Sequence, residues 1–105
     1  MRGAIPVLLL MLALAPAGCA KPAGATHQVT LANMAFGPAP ADLRAGDAIE
    51  WINADIFEHS ATARDGSFNV DLPPKAHVRT VLTKPGHVAV YCRFHPGMTL
   101  ALDVR

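Results

Sequence analysis

Beyond Thr26 the apolar residues recur at every second position, and no stretch sustains a helical period. Val29 and Leu31 alternate with Gln28, Thr30 and Ala32. Ile49 and Trp51 keep the same rhythm, with Asp47, Glu50 and Asn53 around them. Val78, Thr80 and Leu82 share one parity and Val81 takes the other. Val88, Val90 and Cys92 face one way, Ala89 and Tyr91 the opposite way, and Leu100, Leu102 and Val104 share a face at the end. Turn signals separate these runs: Gly37-Pro38 with Pro40, Ala45-Gly46-Asp47, Asp65-Gly66, Leu72-Pro73-Pro74 and Lys84-Pro85-Gly86. Short strands at this spacing predict an all-β sandwich or barrel. Trp51, Phe36, Phe57, Phe68 and Tyr91 are expected to supply much of its core.

The first residues follow a different pattern. Arg2 precedes an apolar run from Ile5 to Leu14, and the small residues Ala15, Ala17 and Gly18 lead to Cys19. This is the layout of a secretory signal. The run is much shorter than the roughly 20 residues of a membrane-spanning helix. Cys19 stands where a bacterial lipoprotein carries its acylated cysteine, but Pro16 replaces the leucine usual in that motif. Ala15-Pro16-Ala17 also fits an ordinary cleavage site, so a lipid anchor through Cys19 and a soluble export product both stay open. Either way the mature domain is expected in the periplasm or on the outer face of a bacterial membrane. The chain divides into a signal segment at 1–18, a Pro/Gly-rich tether at 19–26 and one domain at 27–105.

Composition narrows the function. Of 105 residues, 51% are hydrophobic, which argues against disorder. The net charge of +1 is carried off by Arg2 when the signal is removed, leaving no basic field for nucleic acid. Two cysteines make neither a disulfide scaffold nor a structural zinc site. One small domain is also too short for most multi-step enzymes that need two domains.

The segment Tyr91-Cys92-Arg93-Phe94-His95-Pro96-Gly97-Met98 carries the chemistry. It sets a thiolate, an imidazole and a thioether at i, i+3 and i+6 after a strand, and Pro96-Gly97 can turn the loop so that they converge. This soft donor set selects copper over Mg²⁺ or Ca²⁺. A blue-copper site needs a second histidine, available from His27, His59, His77 or His87. His59 is the leading candidate, on a separate loop after the Ile49–Trp51 strand; distance along the sequence alone does not settle the choice. Thioether is a poor zinc ligand, no paired carboxylates serve a catalytic zinc, and a strand-end thiol is badly placed as a nucleophile. No enzyme activity is expected.

These motifs resemble the small cupredoxins, the blue copper proteins of the plastocyanin and amicyanin type. Asn33-Met34-Ala35-Phe36-Gly37-Pro38 is similar to their early strand and turn. Ala45-Gly46-Asp47-Ala48-Ile49-Glu50-Trp51-Ile52-Asn53 is similar to their AGD-x-V-x-W-x-N strand, and the Cys-x2-His-x2-Met spacing to the amicyanin loop. Glu58 and Ser60, flanking His59, depart from the residues usual there. The resemblance implies an eight-stranded Greek-key β-sandwich with one copper held by His59, Cys92, His95 and Met98. It further implies a monomeric one-electron carrier cycling Cu(II) and Cu(I), whose partner is a c-type cytochrome or a membrane redox complex. His95 would be the electron exit, ringed by an apolar patch of Pro96, Gly97, Met34 and Phe36. Copper delivery or storage in the envelope is the rival reading. It is disfavoured because only Met34 and Met98 remain outside the signal segment.

Overall fold

A computed structural model describes residues 2–13 and 24–105. Cys19, the exit from Ala15 to Gly18 and the tether up to residue 23 lie outside the described residues. Residues 2–13 form no helix or strand and are exposed. Among the described residues no helix is long and apolar enough to cross a membrane.

Residues 24–105 form eight strands: β1 (Thr26–Ala32), β2 (Ala35–Phe36), β3 (Ala48–Asn53), β4 (His59–Ala63), β5 (Asn69–Leu72), β6 (His77–Val81), β7 (Gly86–Tyr91) and β8 (Thr99–Val104). They make two four-stranded sheets, ordered β2-β1-β3-β6 and β5-β4-β7-β8. β1 and β3 run parallel, with Thr26 opposite Ala48 and Leu31 opposite Asn53; the other pairs are antiparallel. β3 pairs with β6, and β4 with β7, so the chain crosses between sheets after β3, β5 and β6. This is the expected eight-stranded sandwich with Greek-key crossings.

The alternating residues point where their parity requires. Val29, Leu31, Ile49, Trp51, Val88, Val90, Leu102 and Val104 are buried between the sheets, and Val81 is exposed. Trp51 is the centre of this core. Phe36 meets its ring edge-on at 6.1 Å and Phe68 lies 5.9 Å away, while its indole N–H donates to Thr80 Oγ1 at 3.1 Å. Two expected core aromatics sit elsewhere. Phe57 is half exposed on the loop before β4, and Tyr91 is half-buried with the Arg64 guanidinium 4.4 Å above its ring. Phe36 packs against the core instead of lining an outer patch.

Asp47 and Asn53 share the parity of Ile49 and Trp51 and are buried with them. Both are fully used. The Asp47 carboxylate accepts N–H groups from Ala25 and Arg44 and the His27 Nε2–H. Asn53 donates to the carbonyls of Phe57 and Leu72, both at 2.8 Å, and accepts the Asp55 N–H at 2.9 Å. Asn53 thereby shapes the loop between β3 and β4 at one end of the sandwich. At the same end lie the turn between β1 and β2 and the loop between β7 and β8.

Candidate metal centre

His59 is the first residue of β4, not a loop residue as the sequence suggested. All five residues of β4 are buried, on both faces, so the strand shows no alternation. His59, Ala61 and Ala63 take one parity. On the other, Arg93 N–H donates to Ser60 Oγ at 2.9 Å, Ser60 to Thr62 Oγ1 at 2.9 Å, and Thr62 to Asn69 Oδ1 at 2.9 Å. This one-way chain satisfies the two buried hydroxyls and fixes the start of the loop that carries the other candidate ligands.

That loop, residues 92–98, joins β7 to β8. Cys92 continues the buried face of Val88 and Val90. The Cys92 N–H donates to the Met98 carbonyl at 3.1 Å, and the Met98 N–H to the His95 carbonyl at 2.8 Å. Gly97 has open space where a Cβ would stand and needs no left-handed conformation. These backbone bonds draw the loop together, rather than any special freedom of that glycine.

Three ligand atoms of His59, Cys92 and His95 lie within 4.8 Å of one another. Cys92 Sγ is 3.8 Å from His59 Nδ1 and 3.9 Å from His95 Nδ1. A central ion bonded to sulfur at ~2.3 Å and nitrogen at ~2.05 Å, with 120° between the bonds, sets these atoms about 3.8 Å apart. The trio therefore fits a trigonal metal site. Met98 is buried at the end of the same loop.

The rings are held from outside. His59 Nε2–H donates to Asp55 Oδ2 at 2.7 Å. A carboxylate only accepts, so the His59 proton sits on Nε2 and the Nδ1 lone pair is left for a metal. The Asp55 carboxyl is pushed below its usual range, first by this bond and then by the Met34 and Asn33 N–H groups, against partial desolvation. The Ser60 N–H donates to Cys92 Sγ at 3.4 Å. His95 is half-buried, its ring edge-on to His59 at 5.1 Å and to Phe57 at 6.3 Å.

The other histidines have separate partners: His27 with Asp47, His77 with Glu50 and His87 with Asp103. None joins the trio. The pairing of Asp55 with His59 was not read from the sequence. Its signal is the i, i+4 spacing of a carboxylate and a candidate ligand.

Methylamine utilization protein MauL of Methylorubrum extorquens is 33% identical over 109 residues, spanning 99% of this chain and 96% of that protein. This chain belongs to the MauL family of small cupredoxins. No family model matches it. Its fold is that of amicyanin. A reduced amicyanin variant superposes with a TM-score of 0.68 at 20% identity, over 78% of this chain and 83% of that one. Amicyanin from Paracoccus versutus gives 0.64 at 20% identity, over 80% and 84%. A copper-containing nitrite reductase from Thermus scotoductus gives 0.66 at 25% identity, over 82% of this chain but 23% of the enzyme. In this cupredoxin, His59, Cys92 and His95 bring two imidazoles and a thiol to one point, with Met98 buried on the same loop, and copper is the cofactor that this donor set suits.

Proposed function

We propose that this cupredoxin is an extracytoplasmic one-electron carrier, with His59, Cys92, His95 and Met98 as the ligands of its copper. The observation that carries the reading is the Cys92 sulfur set 3.8 and 3.9 Å from two imidazole Nδ1 atoms. Bound copper supplies a Cu(II)/Cu(I) couple. The chain supplies geometry. The Cys92 thiolate and two neutral imidazoles suit Cu(II), and the Met98 thioether favours Cu(I). β4 and the hydrogen-bonded 92–98 loop hold one compromise arrangement for both states.

His59 and Cys92 are sealed from solvent, so His95 is the ligand nearest the surface. Around it Met34, Ile56, Phe57 and Phe94 expose apolar surface. This patch suits brief docking of a redox partner, such as a c-type cytochrome or a membrane redox complex. By analogy with the relative's name, the process served would be methylamine utilization.

Thr26 begins β1 at the pole opposite this patch, about 20 Å away along a seven-residue strand. A chain exported by the 1–18 segment, and held by a tether at 19–26, would thus present its copper end away from the attachment.

The test is to load the purified domain with copper and record its visible spectrum and voltammogram. An intense thiolate-to-copper band and a reversible one-electron couple are expected. A colourless protein with no couple overturns the reading, and copper transfer to an acceptor without electron transfer to a cytochrome would favour delivery instead.

A further inference from the structure

Asp55 lies in the loop between β3 and β4, four residues before His59, and its carboxylate is itself clamped. Oδ1 accepts the Asn33 N–H at 2.7 Å, and Oδ2 accepts both the Met34 N–H at 3.0 Å and the His59 Nε2–H at 2.7 Å. The Asp55 N–H donates to Asn53 Oδ1 at 2.9 Å. Two bonds besides the one to histidine therefore fix where this carboxylate points, the third anchors its backbone, and its side chain is 13% exposed.

The turn that supplies two of those bonds is unusual. Asn33 and Met34 both adopt left-handed backbone, with φ of 52° and 60°. Asparagine tolerates that conformation, whereas methionine gains nothing from it. A tight turn between β1 and β2 explains the geometry, and the Asp55 carboxylate gathers both of its N–H groups. The strained turn and the carboxylate stabilise each other, and the side product is a rigid acceptor aimed at His59.

Resting on the copper reading above, we propose that Asp55 is a positioning residue for the metal centre. It fixes the tautomer and orientation of His59, so that Nδ1 faces Cys92 Sγ before any metal arrives. It also makes the imidazole a stronger donor, because a carboxylate on Nε2–H raises the basicity of the ring. The ligand cage is thus partly built by a residue that touches no metal.

The experiment compares wild type, Asp55→Asn, Asp55→Ala, Met34→Gly and the double variant Asp55→Ala/Met34→Gly. The first readout is the ¹⁵N spectrum of the His59 ring in metal-free protein. Wild type and Met34→Gly are expected to show the Nε2–H tautomer alone, and Asp55→Ala a mixture. The second readout is the reduction potential of copper-loaded protein. It is expected to rise in Asp55→Asn and Asp55→Ala, since a less basic imidazole favours Cu(II) less. Met34→Gly relieves the turn without removing the carboxylate, so a merely structural role predicts that it rescues the double variant in both readouts. The proposal expects the fold to be rescued but not the tautomer or the potential. A wild-type tautomer and potential in Asp55→Asn and Asp55→Ala would overturn it. The tautomer readout needs no metal, so it decides the role of Asp55 even if the copper reading fails.

Discussion

Ser60 holds Cys92 through its backbone and the next residue through its side chain. Its N–H donates to the Cys92 sulfur at 3.4 Å, and its hydroxyl accepts the Arg93 N–H at 2.9 Å. One residue of β4 therefore sets both the Cys92 sulfur and the start of the loop that bears it. Ser60→Ala keeps the N–H to sulfur bond but strands the Arg93 N–H and removes the donor to Thr62. Leaving such a group unpaired costs about 1–2 kcal/mol. Urea denaturation of metal-free protein is expected to show a loss of that size. Copper-loaded protein should keep its thiolate-to-copper band.

In the proposed copper site Met98 would tune the metal's redox balance. Its thioether is a soft donor that favours Cu(I), whereas an amide oxygen is harder and favours Cu(II). Met98→Gln is therefore expected to lower the reduction potential while retaining copper. Voltammetry checks the direction. An unchanged potential would show that Met98 makes no axial contact.

Much of this was readable because strand parity and burial agree wherever a strand faces water on one side. Val29 with Leu31, Ile49 with Trp51, and Val88 with Val90 each announced the core face. The Cys92-His95 spacing pointed to a loop whose thiol and imidazole do come together with His59. β4 escaped because His59 to Ala63 is buried on both faces and built largely from small residues. Asp47 and Asn53 looked like polar neighbours of a strand, yet they are buried hydrogen-bonding hubs. Their partners, among them Ala25, Arg44, Phe57 and Leu72, are scattered along the chain. Asp55 was hidden for the same reason, since its link to Asn33 and Met34 exists only once β1 and β3 lie side by side.

The two turn glycines Gly46 and Gly97 should respond oppositely to alanine. Gly46 has a φ of 96°, where a Cβ is strained whatever the space around it, while Gly97 has open space and no left-handed backbone. Gly46→Ala is expected to destabilise the domain by about 1–2 kcal/mol. Gly97→Ala is expected to stabilise it by about 0.4–1 kcal/mol, by narrowing the unfolded ensemble. Thermal or urea unfolding of the two metal-free variants checks the contrast. A marked loss in Gly97→Ala would mean that the ligand loop needs glycine after all.

At the pole away from His59 and Cys92, Asp47 ties the start of β1 to the turn before β3. Its carboxyl is held below the ordinary 3.8, first by the His27 Nε2–H, with the Arg44 and Ala25 N–H groups adding to it and desolvation opposing. A carboxyl with a lower pKa in the folded state binds fewer protons there than in the unfolded chain. Its contribution to stability is thus complete above the unfolded value of 3.8 and is lost as pH falls through the lower folded value. Asp55 and Asp65 are depressed too and add to the same acid limb. Urea midpoints of metal-free protein, measured from about pH 6 down to about pH 2, should fall at the acid end. Asp47→Asn should start lower at neutral pH, because an amide is a weaker acceptor for three donors, and should lose less on acidification. The two curves should converge at the acid end. Parallel curves over the whole range would mean that the Asp47 charge contributes nothing to holding the N-terminal strand.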